Sequence, residues 1–174
     1  MSFPDIMRAD KVLAQFSGWS EPEGETGYCW FNAPLMLGGV VEQGLILHGG
    51  CLKNVPEAHV TFVVQATIPG ARRQIPLARI DWRSVTGGHS NPRRAGSPVS
   101  GKRCSNSHHH AFDLNWLEKE GRMRARNDLP MADDISQGIQ TFEELRDLSG
   151  NLFRINNIDI VPPPKWEYDF FRHG

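Results

Sequence analysis

Apolar residues near the start of the chain recur at the spacing of a helix. They lie three or four positions apart from Ile6 to Phe16, which predicts an amphipathic helix over residues 4–16. Ser2 can cap the first turn of this helix, and Pro4 is tolerated in that turn. Residues 18–27 follow as an acidic stretch rich in glycine, which predicts a loop.

Short apolar, β-branched and aromatic runs dominate the next part of the chain. They predict strands over residues 28–32, 40–41 with 45–48, 59–67 and 74–82. The predicted turns between them are Gly38 with Gly39, Gly49 with Gly50, residues 54–56, and Pro69 with Gly70. These connections are too short for crossover helices, so the pattern favours an antiparallel meander.

The C-terminal third mixes strand and helix signals. Residues 107–116 are typical of a strand, and residues 152–161 predict a last one. Between them, the capping-box pattern of residues 141–144 opens a helix that should stop near Gly150. The aromatic tail, residues 166–174, is expected to pack back on the body. The predicted fold is α+β, an antiparallel β-rich sheet or partly open barrel with two or three peripheral helices.

Length and composition bound the class of protein. A chain of 174 residues with 39% hydrophobic residues fits a single domain, 1–174, with a core that needs no disulfide or metal. No apolar run is as long as the roughly 20 residues of a membrane span, so we expect no membrane partner. Cys29, Cys51 and Cys104 are odd in number and form no CxxC pair. We interpret them as reduced thiols in a cytoplasmic protein.

Basic residues are concentrated in the middle of the chain. Residues 72–103 carry a net charge of +7, although the whole chain has a net charge of −1. Most of the long loop predicted over residues 84–106 lies in this segment, and a structureless loop of that length is often functional. The bases either pair with acids from the flanking segments or form a patch that faces phosphate or nucleic acid. The sequence leaves both interpretations open.

Histidines gather next to the basic loop. Four of the seven histidines lie between residues 89 and 110. Because side chains alternate along a strand, His108 and His110 should share an inward face. The turn at residues 87–92 can bring His89 and Asn91 to the same place. On the preceding predicted strand, Arg79, Asp81 and Arg83 should also share a face.

Three interpretations of this cluster compete. In the first, His89, His108 and His110 are catalytic and exchange proton roles in phosphodiester cleavage without a metal. In the second, the same histidines hold Zn²⁺, Fe²⁺ or Mn²⁺, with Asp81 or Asp113 as a carboxylate ligand. In the third, the histidines are structural. The sequence therefore does not identify a cofactor. Either there is none, or the cofactor is a divalent transition metal.

The surroundings of the cluster supply candidates for binding an anionic substrate. The predicted substrate-binding residues are Arg79, Asn91, Arg93, Arg94, Lys102 and Arg103. Cys104 borders the cluster in an electropositive loop, which can lower the pKa of a thiol. The spacing alone does not support a nucleophilic Cys–His pair, and we interpret Cys104 as an inert thiol.

The run RIDW…HSNP…G…SHHHAFDLNW, residues 79–116, resembles a pattern of small uncharacterised bacterial and phage domains. Some of these domains lie in toxin–antitoxin or mobile-element settings. The resemblance implies that this segment forms a site, but it brings no established catalytic residue with it. The leading hypothesis is a toxin-like protein that binds or cleaves RNA or another phosphodiester through its histidines. One alternative is a non-catalytic module that binds nucleic acid or protein, as an antitoxin, phage inhibitor or cassette accessory would. Another is a His-ligated metal enzyme.

Overall fold

A computed structural model describes residues 1–67 and 73–168 as a sheet with short helices packed against it. The helices are α1 Phe3–Arg8, α2 Phe112–Asn115 and α3 Phe142–Phe153, and 3-10 helices cover Glu118–Glu120 and Ile158–Ile160. The strands are β1 Lys11–Leu13, β2 Tyr28–Leu37, β3 Val40–Leu52, β4 Val60–Thr67, β5 Gln74–Trp82, β6 His108–His110, β7 Trp116–Leu117, β8 Arg122–Met123 and β9 Asp133–Asp134.

The main sheet has seven strands in the order β1-β2-β3-β4-β5-β6-β9, and each pairing is antiparallel. A separate two-stranded ribbon joins β7 to β8. The predicted α+β class is confirmed, in its open-sheet form. In the part of the chain that the structure describes, no helix has the length and apolar character needed to cross a membrane.

The core lies on one face of the sheet and is rich in aromatic side chains. Phe62 at the centre of β4 packs 6.1 Å from Phe31 and 5.9 Å from Phe142 of α3, measured between ring centroids. All three rings are at most 3% exposed. Thr141 caps α3 through the predicted capping box with Glu144, which fixes where the helix begins above this face.

The opposite face of the sheet carries polar side chains, because residues alternate along each strand. The strand registers place two rows of residues across it. The first row is Trp30, Gly50, Thr61, Asp81, His108 and Asp134. The second row is Asn32, His48, Val63, Arg79 and His110. Side chains that are far apart in the sequence therefore meet on this face.

The predicted helix over residues 4–16 is wrong in its second half. Helix α1 ends at Arg8, and Lys11–Leu13 pairs instead with the end of β2. The Lys11 ammonium is fully buried and donates to the backbone oxygens of Met7, Ala9 and Phe153, at 3.3, 2.8 and 3.0 Å. A search for apolar periodicity assigns a lysine to the surface, so it does not find a lysine that occupies a core position.

The predicted turn at Gly49 and Gly50 is also wrong, because β3 runs straight through both glycines. A Cβ atom at Gly49 would lie 2.1 Å from Cε1 of Phe31 on the neighbouring strand. The glycine therefore makes room for a core ring rather than for a change of direction. The strand predictions for residues 74–82 and 59–67 are confirmed to within one residue, and Gly38 with Gly39 does form a turn.

We expect Gly49→Ala to lower the free energy of unfolding by about 2 kcal/mol, because the added methyl group forces the Phe31 ring out of its position. Urea denaturation measures the loss. Gly138→Ala is the matched control, since Gly138 is exposed and a Cβ there would meet only the end of the Gln140 side chain, at 3.9 Å. Equal stability of the two variants would contradict this account of Gly49.

Of the predictions for the C-terminal third, one strand is confirmed in part, one strand is wrong and the packing of the aromatic tail is confirmed at Trp166. The strand predicted over residues 107–116 is confirmed at His108–His110 and again at Trp116, where β7 begins, but α2 lies between the two strands. The strand predicted over residues 152–161 is wrong, since α3 continues to Phe153 and Ile158–Ile160 is a 3-10 helix. Trp166 of the tail packs 6.0 Å from the ring of Phe142, as expected. The predicted turn at residues 69–70 and the tail beyond residue 168 lie outside the described residues.

Candidate metal centre

Three histidine rings meet on the polar face of the sheet. His108 and His110 point to the same side of β6 and are 4% and 0% exposed, as their alternation predicted. His89 comes from the long loop, and its ring centroid lies 5.6 Å from that of His108 and 4.8 Å from that of His110. One ring nitrogen of each histidine lies within 4.8 Å of the other two.

The long loop brings His89 to the sheet by folding back on itself. The Cys104 amide donates to the His89 carbonyl at 2.7 Å, and the Asn91 amide donates to the Lys102 carbonyl at 2.9 Å. The arms approach so closely at Gly88 that a Cβ atom there would lie 2.0 Å from the Cys104 carbonyl oxygen. We call residues 89–104 the basic hairpin. The predicted loop over residues 84–106 is thus free of helix and of extended strand, yet ordered by its own hydrogen bonds.

Backbone carbonyls fix the tautomer of each imidazole. Nδ1 of His108 lies 2.8 Å from the Ser105 carbonyl oxygen, and Nδ1 of His110 lies 2.5 Å from that of Leu129. Nε2 of His89 lies 2.9 Å from the carbonyl oxygen of Pro130. A carbonyl oxygen only accepts, so these ring nitrogens carry the protons. In the neutral imidazoles the other nitrogen therefore keeps a lone pair. Metal-ligating histidines are held in this way.

A buried carboxylate faces the remaining ring nitrogen of two of these histidines. Oδ2 of Asp81 lies 3.3 Å from Nε2 of His108 and 3.4 Å from Nε2 of His110. Its other oxygen accepts the Thr61 hydroxyl at 2.6 Å. Burial alone would raise the pKa of the Asp81 carboxyl, but the two histidines, the charge of Arg79 and the Thr61 hydroxyl together hold that pKa well below its ordinary value. Asp81 is therefore an anion in the folded protein.

Arg79 supplies the cation of this cluster. Its Nε donates to Oδ2 of Asp81 at 2.8 Å, and a terminal nitrogen donates to Nε2 of His110 at 2.7 Å. Burial lowers the pKa of His110, and the charge of Arg79 lowers it further, against the opposing effect of Asp81. His110 is therefore neutral. The Arg79 side chain is still 29% exposed, so it has a route to solvent.

A strap over residues 129–132 covers the histidines and was not anticipated. The side chain of Asn91 exchanges two hydrogen bonds with the backbone of Ala132, at 2.7 and 2.8 Å. Asn115 does the same with the backbone of Met131, at 2.7 and 2.9 Å. Asn91, predicted as substrate-binding, is thus committed to holding the strap. No periodic signal in the sequence marks a segment that is bound through side-chain amides.

Asp113 and Arg83, two residues that the sequence placed near the cluster, lie away from it. Asp113 lies exposed on α2 and has no part in the cluster, so the carboxylate beside the histidines is Asp81. Arg83 lies just beyond β5 with a positive φ, where it donates to the Glu57 carbonyl and stacks 4.5 Å from the Trp82 ring. It does not join Arg79 and Asp81 at the site.

The four remaining substrate-binding candidates lie on the basic hairpin. Arg93, Arg94, Lys102 and Arg103 are all exposed. Among residues 1–67 and 73–168, none of them lies within 4.0 Å of a carboxylate oxygen. Within the described residues, these four cations are therefore not paired with the acidic flanks. Arg79 is different, because it pairs with Asp81.

Burial raises the pKa of each cysteine thiol. All three are free and buried. Burial raises the pKa of Cys104, and the nearby Asp134 adds to the effect. The expectation that its electropositive loop lowers this pKa is therefore wrong. The Cys104 thiol donates to the Ala132 carbonyl at 3.3 Å and so helps to hold the strap.

A second polar group on the same face was missed because its residues are dispersed in the sequence. The Tyr28 hydroxyl lies 3.3 Å from Nε2 of His48, whose Nδ1 lies 2.8 Å from Oδ1 of Asn32. Burial raises the pKa of Tyr28 and lowers that of His48, so both are neutral. Only the pairing of β2 with β3 brings these side chains together.

Comparisons with known proteins add no relative: no family model, no curated protein and no solved structure matches this chain. The resemblance to small bacterial and phage domains thus stays a prediction. What can be inferred about function rests on the geometry of the histidine cluster and the basic hairpin.

Proposed function

We propose that this protein binds one first-row divalent metal ion, Zn²⁺ foremost, through His89, His108 and His110, with Asp81 as the fourth ligand. The observation that carries the proposal is the convergence of one ring nitrogen from each of three imidazoles within 4.8 Å. Imidazole nitrogen and carboxylate oxygen are ligands that Zn²⁺ accepts, and four of them complete a tetrahedral site.

The contacts of Asp81 favour a cation at this place. Nε2 of His108 and Nε2 of His110 face the carboxylate at 3.3 and 3.4 Å, and such a contact is favourable only when a proton or a metal ion lies between the nitrogen and the oxygen. In the described structure Arg79 meets part of this need, by donating to Asp81 and His110. A bound ion would replace Arg79 at His110. Asp128, 3.9 Å from the guanidinium, is a partner for Arg79 outside the cluster.

The same contacts argue against metal-free acid–base cleavage. Such a mechanism requires an imidazole nitrogen that faces the substrate. In His108 and His110, one nitrogen is bonded to a backbone carbonyl and the other faces Asp81. Both side chains are also almost completely buried. Cleavage of RNA by these histidines therefore has less support than metal binding.

The ion would join parts of the chain that are distant in sequence. His89 belongs to the basic hairpin, Asp81 to β5, and His108 with His110 to β6. Four protein ligands leave no open coordination position, which is typical of structural rather than catalytic zinc. We therefore propose that the ion holds the basic hairpin against the sheet.

Metal analysis of the purified protein tests this function. We expect about one Zn²⁺ per chain after incubation with the ion and removal of the excess. His108→Ala and His110→Ala should each lose it. His48→Ala is the matched control, because His48 lies on the same face but outside the cluster, and it should keep the metal. Circular dichroism shows whether each variant is folded.

A wild-type protein that stays metal-free under these conditions would overturn the proposal. The same samples also test the earlier hypothesis of RNA cleavage. Cleavage that survives a chelator but is lost in His108→Ala would indicate acid–base catalysis instead of a structural ion.

A further inference from the structure

The basic hairpin is the most strongly charged segment that the structure leaves exposed. Residues 84–106 contain no aspartate or glutamate. Arg93 and Arg94 lie on one arm of the hairpin, and Lys102 and Arg103 on the other. The arms are joined by backbone hydrogen bonds, so they lie about 5 Å apart, the usual distance between paired strands.

The hairpin is held in a defined position. The Cys104 amide and the His89 carbonyl close its root, and the Arg94 amide donates to the Ser100 hydroxyl at 2.8 Å near its tip. Val99, the apolar residue of the tip, is buried at 2% exposure. The four cations are therefore presented by an ordered backbone, so less conformational entropy is lost when they bind an anion.

We propose that the basic hairpin binds the phosphate backbone of a double-stranded nucleic acid, without reading its sequence. Three of its four cations are arginines, whose forked guanidinium donates two hydrogen bonds to a phosphate. The charge of a duplex backbone is dense enough to engage all four cations at once.

Two observations distinguish a duplex from other polyanions. Residues 84–106 include no aromatic residue, whereas proteins that bind single strands use aromatic rings to stack the bases. With Val99 buried, the tip also offers no large apolar side chain to insert into a lipid surface. Phosphate contacts alone suit a duplex, whose backbone is continuously accessible.

Charge elsewhere on the molecule confines the contact to this hairpin. The residues on either side of the basic segment, 1–71 and 104–174, are net acidic. Asp134, close to the hairpin root, accepts a hydrogen bond from the Ser105 amide and stays exposed. A duplex would therefore bind at the hairpin and be repelled by the rest of the surface, which gives weak and strongly salt-dependent binding.

Fluorescence anisotropy with labelled 20-base-pair DNA and RNA duplexes tests the proposal. Four phosphate contacts predict that log K falls with log salt with a slope of about −3.6. The charge reversal Arg93→Glu with Arg94→Glu should remove about half of that slope and weaken binding by at least about tenfold at 50 mM salt. The DNA and RNA arms identify which duplex is bound, and binding to either one supports the proposal.

A second charge reversal separates the hairpin from the net charge of the protein. Lys119→Glu with Arg126→Glu changes the net charge by the same amount at exposed positions outside the hairpin, and it should leave the affinity within about twofold. Equal losses in the two double variants would overturn the proposal. So would tighter binding to single strands or to phosphatidylserine vesicles than to either duplex.

The surface proposal stands apart from the metal proposal. Its four cations are not ligands of the proposed ion, and the duplex titration is run with the wild-type protein as purified. Duplex binding without zinc binding would support the proposed nucleic-acid surface and overturn the proposed metal site. Zinc binding without duplex binding would support the metal site and overturn the nucleic-acid surface.

Discussion

Saturating Zn²⁺ is expected to raise the free energy of unfolding by about 4 kcal/mol when the free ion is a thousand times above its dissociation constant. The ion would bind the folded chain alone, because His89, Asp81 and the histidines of β6 meet only through the pairing of β5 with β6 and the folding of the basic hairpin. Urea denaturation with and without the ion measures the gain.

His110→Ala separates this effect from unspecific binding. The variant lacks a ligand, so added Zn²⁺ should leave its unfolding midpoint unchanged. Mg²⁺ is the matched ion, because it prefers oxygen ligands in an octahedral arrangement and should stabilise neither protein. A gain of the same size in His110→Ala would show that the ion acts elsewhere.

Lys11→Met is expected to lower the free energy of unfolding by about 3 kcal/mol at pH 7. The substitution keeps the length of the side chain but removes the donor to three carbonyls. The carbonyls of Met7 and Ala9 lie at the C-terminal end of α1, and the carbonyl of Phe153 lies at the C-terminal end of α3. Lys119→Met is the control, because Lys119 is exposed, and it should change the stability by less than about 0.5 kcal/mol. Equal losses would contradict the role of Lys11.

The cost of Lys11→Met should grow with pH. Burial, with a smaller contribution from the charge of Arg154, lowers the pKa of Lys11 from 10.5 to about 8. Between these two values the unfolded chain holds the proton and the folded chain has released it. The stability of the wild type therefore rises with pH in this window, by at most about 1.4 kcal/mol per unit. The variant lacks this titration, so a constant difference from pH 7 to pH 10 would contradict the pKa shift.

The sequence predicted the parts of the fold in which neighbouring residues decide the outcome. Alternation along residues 74–82 and 108–110 correctly placed Arg79 with Asp81 and His108 with His110. The capping box at Thr141 likewise located α3. These features depend on local backbone geometry, which a short stretch of sequence determines.

The errors arose where a distant contact overrides the local pattern. A Gly-Gly pair is typical of a turn, but Gly49 lies within β3 because the Phe31 ring of the neighbouring strand occupies the space of a side chain. Lys11 does not continue the helix, because it pairs with the end of β2 and donates to backbone carbonyls that include that of Phe153. The strap at residues 129–132 depends on Asn91 and Asn115, whose partners cannot be known before the chain is folded. The tautomers of His89 and His110 depend on that strap in turn.

The hydrogen bonds of the strap have a consequence for amide exchange. The amide protons of Met131 and Ala132 are held by the side-chain oxygens of Asn115 and Asn91. Their protection from solvent deuterium therefore reports on two side chains, and it should be lost in Asn91→Ala and Asn115→Ala while amides in β3 and β4 keep theirs. These two amides form a local probe of whether the cover over the histidines opens before the sheet does.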